Sequence, residues 1–471
     1  MKSMKRIIAM FFVMLFLVSL FTACGKPAED AGDTDGRIRI DDYISTYVPT
    51  SETAETAKTA APPFIILPEN YDYKNYSFTF LNSESRYDLY GFIDPDMTGE
   101  VLDDTCFERN LIAEDKFNIT ISEETKPYDE IAGHAKNTIL SDEDIYDVMY
   151  LPMQSITPMI SESLFYDLLE IDELKIDYVW WDQQMIIRNI IGDRLFFATS
   201  DLNLTAMETT QCIFFNEDMV MELRLELPYQ TAFDGGWTLD EMKIYSTASA
   251  SLNGANDNIT YAFAAYDNSR YLPLALGAEL LCRDEDGRYG FTADSDSNYN
   301  SVLSAIIDYL GSNEAFIGDE ADAKASFMGG SGMFLQSEIR CAYEMRNNNR
   351  DFNFGILPMP KNDIAQENYI SAIDPSCVAF CIPNTNTDLE RTGVIIDYLT
   401  YSSYSDLMPR YYDIHSPLKA LGRQESRDIL ALIRGTRTCE VIYPYGWESG
   451  IGDALSKLFE EKNTDFSAIL A

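Results

Sequence analysis

Histidine is almost missing from this sequence: only His134 and His415 occur among 471 residues. A zinc site resting on imidazole has at most those two ligands to draw on, and no metal or cofactor is expected. A Ser-His-Asp triad would have to use one of the two. His134 lies within a helical pattern and His415 stands just before Ser416-Pro417, so neither sits in a nucleophile motif. Cysteine is sparse and unpatterned. Behind Cys24 come Cys106, Cys212, Cys282, Cys341, Cys377, Cys381 and Cys439, an odd set without a C-x-x-C pair, which argues against a zinc cluster and leaves room for one disulfide at most. Buried thiols acting as small hydrophobes are the expectation. Positive charge is scarce as well, with 35 Lys and Arg against 77 Asp and Glu. Such a surface is repelled by phosphates and anionic headgroups, so nucleic acid is excluded as a partner. Long apolar runs are missing but for residues 7–21, about 15 residues where a bilayer-spanning helix needs ~20.

That one run has a specific context. Lys2, Lys5 and Arg6 precede it, and Leu20-Phe21-Thr22-Ala23-Cys24 closes it with small residues before a cysteine. The pattern reads as a lipoprotein signal over 1–23, with cleavage before Cys24 and lipid on its thiol. Loss of the signal leaves 448 residues and, with three basic and no acidic residues removed, moves the formal charge from −42 to −45. The protein is expected to be moored on the outer face of the cytoplasmic membrane. Residues 24–72, rich in Ala, Thr, Pro, Asp and Ser, read as a tether. A flexible chain of about 45 residues spans roughly 35–40 Å r.m.s..

The remainder has the material for real cores, with 46% apolar and 13% aromatic residues in the chain. Phe78 and Phe80 recur at strand period in 77–81, and a helix is expected around 101–117. A strand at 119–122, a helix at 128–140 and a strand at 145–151 follow. This βαβαβ rhythm predicts an α/β fold with a parallel sheet wrapped by helices. Its ligands would bind beyond the carboxyl ends of the strands, in the loops after Leu81 and Leu151. Apolar runs recur at 194–199 and 209–216. Thr238 and Glu241 match a capping box that starts a new helix. Val302, Leu303, Ile306, Ile307 and Leu310 make one helix face. A turn at Asp284–Gly287 precedes a strand through Tyr289 and Phe291. Further strands are expected at 352–360, stopped by Pro358 and Pro360, and at 377–382.

Several stretches now carry a resemblance. They are Trp180-Trp181-Asp182, Gly192 to Asp201, Phe215 to Asp218, Gly236 to Glu241, and Phe354 to Lys361 with Gln366 to Tyr369 behind it. Gln424 to Ser426 and Tyr443 to Trp447 complete the set. In this order the chain resembles the extracellular solute-binding lipoproteins of bacterial ABC importers, in the carbohydrate-binding branch. The resemblance implies two α/β lobes, each a mostly parallel sheet flanked by helices, joined by hinge crossovers near 215–216, 354–355 and 402. The first lobe would hold 73–215 with 355–402, and the second 216–354 with 403–471. It also implies a monomer without catalytic activity that closes on a sugar or oligosaccharide and passes it to permease subunits. Two positions depart from the family pattern: Gln424 stands where an acid is common, and Ser200 where glycine is.

A sugar site asks for aromatic faces on the pyranose and carboxylates or amides on its hydroxyls. Asn82, Ser83 and Glu84 follow the first strand, and Gln154 follows the third. Asp201 ends a strand at a position that aligns with the family's cleft. Tyr266, Asp267 and Asn268 form a polar cluster after an apolar strand, and Asp374 and Trp447 lie in comparable loops. Trp181 completes the candidate set, although packing between elements is its first reading. Trp237, just ahead of a capped helix, reads as a hydrophobic staple and is left out. Gly329-Gly330-Ser331-Gly332 lacks the GK[ST] of a phosphate loop. Asp294, Asp296 and Asn298 fail as a calcium loop because Tyr299 replaces its glycine and Ala305 its glutamate. The acidic composition leaves two rivals open: a receptor for cationic or peptidic solutes, and a surface glycan binder or glycosidase using paired carboxylates.

Overall fold

The strand period of Phe78 and Phe80 is realised in β1 (Tyr76–Ser83), where both rings are fully buried. The computed structural model describes residues 71–84, 97–254, 261–265, 267–283, 289–291, 297–310, 315–347, 353–414 and 424–445, with positions 457, 459 and 461. Cys24, the signal and nearly all of the tether therefore lie outside the described residues. So do the turn at 284–287 and the calcium-like residues 294 and 296. Further strands are β2 (Ile119–Lys126), β3 (Val148–Pro152), β4 (Gln211–Asn216), β5 (Tyr261–Ala265), β6 (Leu281–Arg283) and β7 (Tyr289–Phe291). They continue as β8 (Ala315–Ile317), β9 (Gly332–Glu338), β10 (Phe354–Leu357), β11 (Ser371–Ala372), β12 (Val378–Cys381) and β13 (Arg437–Thr438).

Two sheets organise the chain. The first has the order β12-β3-β1-β2, with β1 parallel to both neighbours and β12 reversed against β3. Helices Val101–Phe117 and Ile131–Leu140 carry the chain between its parallel strands. The longer helix buries Leu102, Cys106, Ala113 and Phe117 and ends on Asn118 at φ 50, a left-handed position asparagine tolerates. The second sheet has the order β10-β4-β9-β5-β8, and there β4 alone runs against the rest.

Strand direction decides which loops can meet. Carboxyl ends of β1, β2 and β3 share an edge with the amino end of β12. Carboxyl ends of β5, β8, β9 and β10 share an edge with the amino end of β4. The connecting segments 203–210 and 371–377 run between these edges and are bonded to each other. Ile373 bridges Thr210, the Asp374 amide donates to the Thr209 carbonyl (3.1 Å), and the Met153 amide donates to the Cys377 carbonyl (3.0 Å).

The lobe borders expected at 215 and 355 need correction. Asn216 pairs with Phe354 and Ile213 with Leu357, so both borders cut through strands that belong to the second sheet. The chain leaves the first sheet before Gln211 and returns after Leu357. A continuous apolar run does not reveal which sheet will claim it. The passage expected at 402 moves too. Helix Leu389–Ser402 runs on through a π-helical stretch, Ser403–Leu407, into Met408–Ile414, and both continuations pack on helix Val101–Phe117 of the first lobe.

Three tryptophans serve the cores. Trp180 and Trp181 donate their indole N–H groups to Asp397 (3.0 and 3.3 Å), as does the Lys175 amide (3.0 Å). Trp181 is 1% exposed and its ring lies 5.5 Å from that of Phe380. It packs between elements and offers no face to a ligand, which removes it from the candidate set. Trp237 is buried against Tyr245 and Phe334 and donates to the Pro358 carbonyl (3.1 Å). Thr238 accepts from the Glu241 amide (3.2 Å), the first half of the expected capping box. His134 serves structure, its ring 2.9 Å from the Tyr146 hydroxyl. Six cysteines, Cys106, Cys212, Cys341, Cys377, Cys381 and Cys439, are buried thiols.

Gly355 has no room for a side chain: a Cβ there would lie 2.1 Å from the Tyr229 hydroxyl and 2.4 Å from the Phe215 ring. Gly355→Ala should lower the unfolding free energy by about 1–3 kcal/mol through overpacking, measured by urea denaturation. Burial raises the Asp397 carboxyl from 3.8 to about 6 in spite of its three donors. The folded state thus holds this proton more tightly than the unfolded state. The resulting stabilisation is full below the unfolded value and is lost as pH rises through about 6. Asp397→Asn should flatten the pH dependence of unfolding in that window by about one proton.

Candidate functional site

A string of polar contacts joins the edges of the two sheets. Gln154 sits in the first turn of helix Met153–Ser161, directly behind β3, and Tyr128 lies in the turn behind β2. The Gln154 amide donates to the Tyr128 hydroxyl (3.3 Å), and that hydroxyl donates to the Ser376 carbonyl (3.1 Å). Asp374 accepts from the Ser376 amide on one oxygen (2.8 Å) and from the Tyr271 hydroxyl on the other (3.0 Å). Arg270 donates to the same Tyr271 oxygen (3.3 Å). Tyr271 ends the 3-10 helix Asp267–Tyr271 that follows β5. The returning connection, 371–377, is therefore bonded to a loop of each lobe.

The second sheet adds charge at the same edge. Glu338 ends β9 opposite Gln211 of β4, and its carboxylate pairs with Arg340. Burial raises the Glu338 carboxyl to about 8; nearby Arg340 opposes the shift and Asp374 adds to it. Burial, and then the charge of Asp374, hold the Tyr271 hydroxyl well above its ordinary value, so it stays a donor. Arg270 and Arg340 are thus set among Asp374 and Glu338. The Ser376 hydroxyl and the Gln211 amide nitrogen are buried without a protein partner. Such an edge offers hydroxyl groups, carboxylate acceptors and the half-buried Tyr128 ring to a polyhydroxylated ligand. Among the described residues no group of three or more His, Cys, Asp or Glu side chains is placed to hold a metal ion.

Gln154 and Asp374 are thus brought into one string. Asn82, Ser83 and Glu84 stand on the same edge of the first sheet at the end of β1. The Asn82 amide is spent on Glu123 (2.6 Å), Ser83 is buried, and Glu84 is exposed. Tyr266, Trp447 and the Asp267 side chain lie outside the described residues. Sequence reasoning passed over Tyr128, Arg270, Tyr271, Ser376, Glu338 and Arg340. Tyr128 follows the second parallel strand, so the edge rule applied to Leu81 and Leu151 would have found it. Arg270 and Tyr271 lie within five residues of the chosen Tyr266 cluster.

Asp201 is elsewhere, and this corrects the expectation that it lines the cleft. It is 1% exposed and accepts from Arg434 Nε at 2.9 Å and from Arg437 at 3.2 Å. Asp182 completes the group, accepting from Arg437 Nε (2.8 Å) and from the Thr199 hydroxyl (2.5 Å). The carboxylate of Asp201 is saturated by guanidinium, which leaves nothing to offer a ligand. Both departures from the family pattern are local: Gln424 bonds Asp428 (2.9 Å), and the Ser200 hydroxyl accepts from the Leu202 amide (3.3 Å). Asp201→Ala would leave the buried Arg434 guanidinium without a carboxylate, while Arg437 keeps Asp182. The expected loss is about 3–5 kcal/mol of stability by urea denaturation.

No family model matches the sequence, and no match was found among curated proteins. The fold has clear counterparts. The sugar-binding protein MalE from Xanthomonas citri is 13% identical with a TM-score of 0.58, over 84% of this chain and 94% of that one. A cyclic alpha-maltosyl-1,6-maltose binding protein from Arthrobacter globiformis is 12% identical with a TM-score of 0.57, covering 84% and 96%. An ABC substrate-binding protein from Listeria monocytogenes, solved with cycloalternan, is 12% identical with a TM-score of 0.50, again covering 84% and 96%. The chain has the two-domain, periplasmic-binding-protein-like fold of these receptors.

Proposed function

We propose that this chain is a lipid-anchored extracellular receptor that captures a sugar or oligosaccharide between its lobes and delivers it to the permease of an ABC importer. One observation carries the reading. Polar groups from the carboxyl edges of both sheets converge on one connecting segment, through Gln154 and Tyr128 on one side and Arg270 and Tyr271 on the other. A ligand seated there touches both lobes, so its binding free energy favours the closed state. Proteins of like fold are sugar binders by description, which supports the same ligand class here. Buried polar atoms on Ser376 and Gln211 are suited to ligand hydroxyls, since unpaired buried groups are costly. The signal-like N-terminus and Cys24 support the mooring. No helix among the described residues is long and apolar enough to cross a membrane.

On this reading Asp374, Gln154 and Tyr128 contact the ligand, and Tyr271 holds Asp374 from behind. The chain binds its cargo without altering it. The two lobes are built around the two sheets and move about segments 203–210 and 371–377. The formal charge of −42 for the whole chain favours one second reading, a cationic solute. Titration calorimetry with maltotetraose, raffinose, xylotetraose and spermidine separates the two. A neutral glycan should bind with little dependence on salt, and Asp374→Ala should weaken it about tenfold or more, as loss of a charged hydrogen-bond partner does. Heat from spermidine alone, falling steeply with ionic strength, would overturn the sugar assignment.

A further inference from the structure

The ion quartet of Asp182, Asp201, Arg434 and Arg437 is buried, closed on itself and untouched by the ligand reading. Its two halves belong to different parts of the molecule. Trp181 bridges Ser200, which sets Asp182 beside Asp201, and Ala198 of the same segment bridges Phe380 of β12 and so extends the first sheet. Arg434 lies in the last turn of helix Gln424–Thr436. That helix packs on β10 of the second sheet, and the Ser426 hydroxyl lies 3.1 Å from that of Tyr229, which donates to Glu217 (2.7 Å). One end of the helix is thus tied to the second lobe and the other to the first.

Arg437 leads from the quartet to the site. It lies in β13, opposite Ser371 of β11, with Thr438 opposite Ala372. The Ile373 amide then donates to the Thr438 carbonyl (2.7 Å), and the next residue is Asp374. Directional contacts therefore run unbroken from the guanidinium groups to the carboxylate that Tyr271 holds. We propose that Asp182, Asp201, Arg434 and Arg437 are positioning residues for ligand capture. They anchor the C-terminal helix and the β11–β13 pair to the first lobe, and so set the angle between lobes and the place of Asp374.

Physical chemistry favours this over a purely stabilising role. Buried ion pairs add little net stability, because desolvation offsets their attraction and an apolar filling would serve as well. Forked guanidinium–carboxylate contacts do fix orientation, in a way that sliding apolar contacts do not. A hinge moves a few residues at a segment whose ends are held firm. The four formal charges cancel, so the quartet exerts no long-range pull on a ligand.

The inference rests on the receptor reading, and its test separates the two. Spin labels would be placed at the exposed positions Ile112 on the first lobe and Ile244 on the second. Their distance distribution would be measured in the full chain without ligand, and affinity measured for the tightest glycan of the panel above. Arg437→Lys keeps the charge and loses the fork; Asp201→Asn keeps the shape and loses the charge. Each should shift or broaden the distance distribution, and each should lower glycan affinity about tenfold through a smaller closure-competent population. Arg391→Met, which removes the ion pair with buried Asp147 just ahead of β3, at the edge opposite the connections, should lower the melting temperature and change neither readout. Quartet variants that melt earlier but keep native distances and native affinity would overturn the proposal. Should Arg437→Lys fail to fold, Asp201→Asn is read in the same way. Should no glycan bind the native chain, the receptor reading falls, while the label distances still decide the positioning role.

Discussion

Strand direction is the constraint from which the rest of this molecule follows. Once β1, β2 and β3 run parallel, helices must return the chain, and all three carboxyl ends open on one edge. The second sheet obeys the same rule, with its single reversed strand, β4, entering where β9 leaves. Two connecting segments must then run from edge to edge. Because Ile373 bridges Thr210, they run side by side. The meeting of polar groups from both lobes at Asp374 is a consequence of this topology, not of any local motif.

Burial of charge is the second theme. Asp397 under two indoles, Glu338 beside Arg340 and the four-membered quartet each place carboxylates where water does not reach. Asp397, Asp182 and Asp201 each accept from several donors, and Glu338 accepts from Arg340. An unusually acidic chain can tolerate this because its arginines, few in number, are spent where they neutralise more than one partner. Arg437 bridges Asp182 and Asp201, and Arg391 stacks 3.5 Å over Tyr76 while pairing with Asp388 and Asp147. The solvated surface keeps the excess negative charge, where mutual repulsion is screened within about 8 Å at physiological salt.

Aromatic residues divide along the same line. Trp180, Trp181 and Trp237 fill cores, and each indole N–H finds an acceptor there. Tyrosines are left for the edge, where a ring can pack while its hydroxyl bonds a neighbour. Tyr128 and Tyr271 do this on opposite sides of Asp374.

Periodicity and turn chemistry determined several of the elements, although the strand expected ahead of Asp201 is reduced to single bridges at Ala198 and Ser200. The alternation of Phe78 and Phe80, the face from Val302 to Leu310 and the Thr238 cap depend on contacts within one element, which sequence spacing encodes directly. The carboxyl-edge rule picked out Gln154 and loop reasoning picked out Asp374, and folding joins the two through Tyr128 and Ser376. Tertiary structure alone decided the rest. Which sheet claims residues 211–216 depends on pairing with residues 354–357, about 140 positions away, and no local pattern carries that information. Asp201 could be read as a cleft residue because its partners, Arg434 and Arg437, lie more than 230 positions along the chain. A carboxylate's role is set by what neutralises it, and only folding brings the neutralising group within reach.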